Sequence, residues 1–128
     1  MGHLFISYSR RDTDVVNQLV NQLETAGYET WIDLEGIRGG DQWRRQIVEA
    51  VESADVFILA LSKDSVTSIN VRKELDLAEG KGLRVIPVEI KSVAIPAELK
   101  YQLVGLQRID LVSDFDAGFV KLLEALEG

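Results

Sequence analysis

Short apolar runs alternate with amphipathic segments along this whole chain, and this alternation constrains the fold more than any other feature. An apolar run without polar interruption, such as Val56–Leu61, is typical of a strand covered on both faces of a parallel sheet. Repeated strand–helix units predict a parallel sheet with right-handed crossovers and helices on both faces. We therefore predict a three-layer, flavodoxin-like α/β domain with five parallel strands in the order 2-1-3-4-5. Strands are expected at 3–7, 28–33, 55–61, 83–90 and 106–111, helices at 13–26, 42–53, 69–79 and 115–126, and an irregular connection with room for a short helix at 91–102.

Certain residues mark where the predicted helices begin and where one strand is interrupted. Asp12 and Asp41 precede the first two helices and are predicted N-caps, because a side-chain oxygen there accepts from the free amides of the first turn. Ser68 or Asn70 is expected to cap the third helix. Pro87 falls inside the fourth strand and cannot donate to a ladder, so we predict a bulge or an exposed strand end there.

The composition excludes several classes of function. The 128 residues predict a single domain, compatible with one module of a longer protein. The chain has no Cys and one His, which excludes thiol nucleophiles and leaves almost nothing for a histidine relay or a metal site, so no metal is expected. The net charge of −7 argues against binding to nucleic acid or to anionic membranes. No run approaches the ~20 apolar residues of a membrane span, and the lack of Cys suits a cytoplasmic location.

The predicted strand order places a candidate site at one end of the sheet. In the order 2-1-3-4-5 the switch point lies between strands 1 and 3, and ligands of such sheets bind at the carboxyl ends of the strands there. The loops 7–11 and 62–70 meet at that point, beside the loop 34–40. The last of these loops contains three glycines and is interpreted either as a flexible connection or as a mobile lid or contact loop.

Glu74 is the candidate functional residue that the pattern itself singles out. In the third helix, Val71, Leu75 and Ala78 form the apolar stripe, and at ~100° per residue Glu74 falls inside it. A carboxylate placed there must be hydrogen-bonded, paired or functional. Two interpretations stay open from the residues alone. Glu74 is either a structural glutamate bonded to loop hydroxyls or to the start of its helix, or an acid that acts on a ligand.

Several segments, in this order and spacing, resemble the Toll/interleukin receptor (TIR) domain family in the style of its bacterial members. The segment 5–12 resembles the first box of the family, and 31–43 resembles its second strand with the following "BB" loop. The segment 54–62 resembles the third strand. Ser62, Ser68 and Glu74-Leu75 resemble the serine-and-glutamate pattern that opens the third helix. The resemblance covers nearly the whole chain.

The resemblance implies one of two functions. Many TIR domains are NAD⁺ nucleosidases, which cleave the nicotinamide–ribose bond of NAD⁺ and leave nicotinamide with ADP-ribose or a cyclic form of it. Such an enzyme takes NAD⁺ as substrate, needs no cofactor, is activated by self-association and is expected to act in bacterial immune signalling against phage. Other TIR domains are non-catalytic interaction modules, and further TIR domains or fused effector and sensor domains are the expected partners. An open cleft at Glu74 beside Phe5 and Ser9 would favour catalysis, whereas a sealed carboxylate would favour the interaction module.

The resemblance also assigns roles to individual residues. Glu74 takes the position of the catalytic glutamate. Asn70 stands where related enzymes often have an aromatic residue, usually tryptophan, and this departure counts more against a cyclic product than against hydrolysis. The expected substrate-binding residues are Phe5, Ser7, Tyr8, Ser9, Arg10, Asp33, Ser62, Ser68 and Asn70. The BB loop and its assembly contacts are expected at Leu34, Gly36, Ile37, Arg38, Gly39, Gly40 and Trp43.

Overall fold

A single sheet of five parallel strands, in the order 2-1-3-4-5, forms the centre of the molecule. The structure is a computed structural model that describes residues 3–32 and 40–128, without the side chains of 40–43. The sheet confirms the predicted fold class and strand order. The strands are β1 Leu4–Ser7, β2 Thr30–Ile32, β3 Val56–Leu61, β4 Arg84–Glu89 and β5 Ile109–Asp110. The helices are α1 Thr13–Thr25, α2 Gly40–Ser53, α3 Ile69–Lys81, α4 Ala97–Leu103 and α5 Phe115–Glu127.

Two core clusters lie on the two faces of the sheet. In the first, which we call the α1/α5 layer, Leu19 of α1 and Leu122 of α5 pack with Ile6 of β1. In the second, the α2/α3 layer, residues of α2, α3 and α4 pack with Phe5 and Phe57. Successive side chains of a strand point to opposite faces of a sheet, and therefore β1 contributes Ile6 to one layer and Phe5 to the other. Because of this alternation, consecutive side chains at the end of β1 lie on opposite sides of the sheet.

Three aromatic rings hold the central strands together in the α2/α3 layer. Phe5 pairs in register with Trp31 of β2 and with Phe57 of β3. Its ring stacks on both, with centroid distances of 4.9 Å to Trp31 and 5.4 Å to Phe57. Stacked aromatic pairs contribute about 0.5–1.5 kcal/mol beyond the area that they bury. The row of rings therefore fixes β1 between its neighbours directly below the end of the strand.

Pro87 does not form the predicted bulge or exposed strand end. It is buried inside β4 and pairs in regular register with Leu59. The other edge of β4 pairs with β5 only at Val88 and Glu89. At Pro87 that edge has no partner in β5, so the regular sheet accommodates a residue without an N–H there.

Several element ends differ from the prediction. α2 begins at Gly40, one residue before the predicted cap Asp41, whose side chain lies outside the described part of the molecule. α3 runs on to Lys81, where Gly82 takes the left-handed conformation with φ 76° and ends the helix. β5 has two residues, fewer than predicted, whereas α4 supplies the short helix expected in the connection after β4. None of the helices in the described parts of the chain is long and apolar enough to cross a bilayer.

Two glycines in helices provide a matched test of the packing of α5 against β5. A Cβ on Gly118 would overlap the carbonyl oxygen of Asp110 and lie 2.8 Å from Leu111 Cδ2, whereas a Cβ on Gly80 of α3 would meet no atom within 4 Å. We expect Gly118→Ala to lower the free energy of unfolding by about 1–3 kcal/mol, because it overpacks this contact. Gly80→Ala should raise that free energy by up to about 1 kcal/mol, because alanine is the better helix former.

Urea unfolding of the wild type and the two variants measures both effects. Equal changes of the same sign in the two variants would contradict the close packing at Gly118.

Candidate active site

Glu74 lies on the buried face of α3, as its place in the apolar stripe predicts. The helix buries Val71, Glu74, Leu75 and Ala78, and Glu74 is 4% exposed. An ionised carboxylate at such a position costs free energy unless polar groups surround it. The partners of this side chain therefore decide what it can do.

Ser7, the last residue of β1, is one such partner. Its hydroxyl donates a hydrogen bond of 2.6 Å to Glu74 Oε1, and the serine is itself fully buried. This bond joins the end of β1 to the second turn of α3. It also realises the structural interpretation of Glu74, in which a loop hydroxyl satisfies the carboxylate.

Glu74 also forms part of the wall of a cleft between α2 and α3. The cleft has a volume of about 200 Å³ and is lined by Arg44, Ile47, Val48, Asn70, Lys73, Glu74 and Leu77. Pockets that enclose a whole drug-sized ligand are larger, at about 300–1,000 Å³. The cleft therefore has room for a sugar ring with its base, and a longer ligand would have to extend beyond it. Glu74 is thus not sealed in the core, but Phe5 and Ser9 are not among the lining residues.

Two of the predicted substrate-binding residues are brought to Glu74, and a third, Ser68, lies at the start of the same helix beside a neighbouring depression. Ser7 is bonded to Glu74, and Asn70 lines the same cleft. Ser68 is the N-cap of α3, where its hydroxyl accepts from the amide of Val71 at 3.2 Å. This decides the predicted alternative between Ser68 and Asn70 in favour of Ser68 as the cap.

Phe5 lies beneath this site, inside the core. Its ring is fully buried in the stack with Trp31 and Phe57. The ring is not accessible to a ligand in this structure. In the structure Phe5 supports the strand that presents Ser7, and its predicted contact with substrate stays a prediction.

Four other predicted residues are not brought into the cleft. Tyr8 packs against the α1/α5 layer, on the opposite side of the sheet from Glu74. Ser9 caps the short 3₁₀ turn Arg10–Asp12 by accepting from the amide of Arg11, and Arg10 is exposed. Ser62 is fully buried and donates to Asp12 at the start of α1. Their roles toward a substrate stay predictions.

The remaining predicted site residues lie outside the described part of the molecule. These are Asp33, Leu34, Gly36, Ile37, Arg38 and Gly39, together with the side chain of Trp43 and the local surroundings of Gly40. The predicted roles of the BB loop are therefore not tested. Within residues 3–32 and 40–128, no three metal-ligating side chains are grouped as they would be in a metal site.

Asp12 forms a buried polar network that the sequence did not predict. It occupies the N-cap position of α1, but its side chain makes no capping bond. Its carboxylate is 1% exposed, accepts a hydrogen bond from Ser62 and pairs with Lys91 Nζ at 2.7 Å. The hydrogen bond and charge of Asp12 raise the pKa of Lys91 above its ordinary value of 10.5. The network ties together the chain segments that follow β1, β3 and β4.

The fold and the site define a doubly wound α/β domain with a buried carboxylate beside a cleft, near the switch point of its sheet. A sequence profile of the TIR domain matches residues 4–123. The chain therefore belongs to the TIR domain family, as its sequence motifs indicated.

Two curated proteins resemble the chain in sequence. The NAD(+) hydrolase PdTIR of Paracoccus denitrificans is 33% identical over 90 residues, which cover 66% of this chain and 30% of that protein. The uncharacterized protein y4cD of Sinorhizobium fredii is 28% identical over 132 residues, which cover 95% of this chain and 20% of that protein. The chain thus spans less than a third of the length of either relative.

A solved structure matches over the full length of both chains. The TIR domain of the Toll-related receptor TRR-2 from Hydra magnipapillata superposes with a TM-score of 0.81 at 23% sequence identity. At this level of identity the likeness shows the shared fold.

The ion pair of Asp12 makes stability depend on pH. Lys91→Gln should lower the free energy of unfolding at neutral pH, because it leaves the buried Asp12 carboxylate without its cation. The pKa of Lys91 is higher in the folded than in the unfolded protein, so its contribution is complete below the ordinary value of 10.5 and is lost as the pH rises through the raised value. Urea unfolding over a pH series should therefore show the two proteins converging in alkaline solution.

Lys63→Gln, which removes an exposed charge after β3, is the control and should change little at any pH. A stability difference for Lys91→Gln that persists undiminished in strongly alkaline solution would contradict the ion pair.

Proposed function

We propose that this TIR domain is an NAD⁺ nucleosidase in which Glu74 is the catalytic carboxylate. The observation that carries the proposal is the position of Glu74, which is buried, held by Ser7 and part of the wall of a cleft with room for a ribose and its base. The name of the relative from Paracoccus denitrificans, an NAD(+) hydrolase, supports the choice of substrate.

The proposed reaction needs little from the protein beyond one carboxylate and a shaped cleft. The bond between ribose C1′ and the nicotinamide nitrogen breaks, its electron pair goes to the nitrogen, and nicotinamide leaves as a neutral molecule. Positive charge then develops on the ribose, where a preorganised carboxylate stabilises it. Water adds to C1′ and releases a proton, which gives ADP-ribose.

The hydrogen bond from Ser7 gives Glu74 its position for this role. Ser7 fixes one oxygen of the carboxylate, Oε1, at the end of β1. Glu74 also lines the cleft, from which it can meet the hydroxyls of a bound ribose. A positioned acceptor costs less to reorganise during the reaction than a mobile one, and this is the main source of electrostatic catalysis. Asn70 lines the same cleft without an aromatic surface on which a product could stack, and we propose ADP-ribose as the main product.

We further propose that self-association activates the domain, in a role in bacterial immune signalling. The second candidate function is a non-catalytic TIR interaction module. The observation that favours it is that Glu74 is 4% exposed and bonded to a neighbouring hydroxyl, as a structural carboxylate would be.

Substitution of the carboxylate separates the two functions. The wild type at high concentration should release nicotinamide from NAD⁺, and Glu74→Gln should reduce the rate by about 100-fold or more, because the amide keeps the shape but loses the charge. Glu52→Gln, which changes an exposed carboxylate on α2, is the control and should keep the wild-type rate. Nicotinamide release followed by chromatography, with unfolding curves for each variant, measures the effect.

If the wild type and Glu74→Gln are equally silent, even when the domain is fused to a scaffold that clusters it, the nucleosidase proposal is wrong. The interaction module is then the better account of the fold.

A further inference from the structure

The cleft beside Glu74 carries a charge opposite to that of the whole chain. The formal net charge of the protein is −7. Among the residues that line the cleft, Arg44 and Lys73 are basic and Glu74 is the one acid, which leaves a net charge of +1. Both basic side chains are exposed at the surface, whereas Glu74 is buried. The wall of the cleft therefore combines one buried carboxylate with two exposed basic side chains, which we call the rim.

Lys73 lines two neighbouring depressions of the surface. It precedes Glu74 in α3 and also lines a second, neighbouring depression together with Arg72, Ile69 and Pro96. That depression has a volume of about 430 Å³. Lys73 thus lies on the ridge between two hollows, and a ligand that extends out of the first hollow in this direction passes its ammonium group.

A carboxylate alone would favour nucleosides, which carry no phosphate, over nucleotides. Glu74 can accept from ribose hydroxyls, but it repels a phosphate on the same sugar. Cations on the rim reverse this preference, because Lys and Arg form charge-assisted hydrogen bonds with phosphate oxygens. If the ribose and its base occupy the cleft of about 200 Å³, little room is left for the phosphate, which then extends toward the exposed basic side chains.

We propose that Lys73, with Arg44 opposite it, binds the phosphate attached to the ribose and makes the cleft selective for nucleotides over nucleosides. Lys73 is the specificity-determining residue of the pair. The inference rests on the proposed function for the position of the ribose at Glu74.

Three substrates with the same scissile bond test the inference. Nicotinamide riboside has no phosphate, nicotinamide mononucleotide has one, and NAD⁺ has two. Lys73→Gln should lower kcat/KM for the two phosphorylated substrates by about 10-fold, the effect of one charge-assisted hydrogen bond at an exposed site, and leave nicotinamide riboside unchanged. Lys81→Gln removes an exposed charge from the same helix outside the cleft and should change none of the three. Added salt should weaken the preference of the wild type for the phosphorylated substrates.

An equal loss for all three substrates, or no loss for any, would overturn the inference. If the wild type cleaves none of the three substrates, the nucleosidase proposal is wrong, but the inference about the phosphate is still open to test. The binding of nicotinamide mononucleotide and of nicotinamide riboside, measured by calorimetry, then tests it. Tighter binding of the mononucleotide that Lys73→Gln abolishes would support the phosphate site, and equal binding of the two compounds would overturn it.

Discussion

The hydrogen bond from Ser7 to Glu74 is the interaction on which the candidate site depends. It places a carboxylate in a largely apolar layer, where the charge would be costly without a donor. To form it, α3 must pack with its second turn against the end of β1, and β1 must end with its last side chain in the α2/α3 layer. The stack of Phe5 on Trp31 and Phe57 holds the strand in that register. The geometry of the site thus follows from the packing of the sheet.

A second buried carboxylate, Asp12, differs from Glu74 in its partners and in its access to a cleft. Asp12 has a cation, Lys91, and the hydroxyl of Ser62 as partners, and its charge is neutralised inside the fold. Glu74 has Ser7 as a partner and borders a cleft with an exposed rim. The two networks also hold the segment between Ser7 and Asp12 at both of its ends. Asp12 therefore joins segments of the fold, whereas Glu74 combines a bonded position with a place on the wall of a cleft.

The sheet and the position of Glu74 were predictable because each depends on a local pattern. The unbroken apolar run of β3 marks a buried central strand, and the apolar stripe of α3 places Glu74 on its inner face. The same kind of local signal limited the cap of α3 to Ser68 or Asn70, and the structure shows that Ser68 is the cap. Each of these patterns involves only a few neighbouring residues, so contacts with distant parts of the chain do not alter it.

The rest of the site depends on contacts between distant parts of the chain. Asp12 was predicted to cap a helix, but its carboxylate instead accepts a hydrogen bond from Ser62, which lies 50 residues further on. Pro87 is regular because β5 pairs only with the two residues that follow it, which no pattern around the proline reveals. The sequence did, however, contain the information that Tyr8 and Phe5 lie in opposite layers, because side chains alternate between the two faces along β1. Family likeness alone assigned both residues to one site.

The most direct test of the central claim is to locate bound NAD⁺ on the Glu74→Gln variant, which should bind it without cleaving it. Backbone amide shifts measured by NMR during a titration with NAD⁺ report which residues the ligand affects. We expect saturable shifts concentrated at Ile47, Asn70 and Lys73, around the cleft between α2 and α3. Shifts centred on Ser62 and Lys91, or no saturable shifts at all, would contradict this claim.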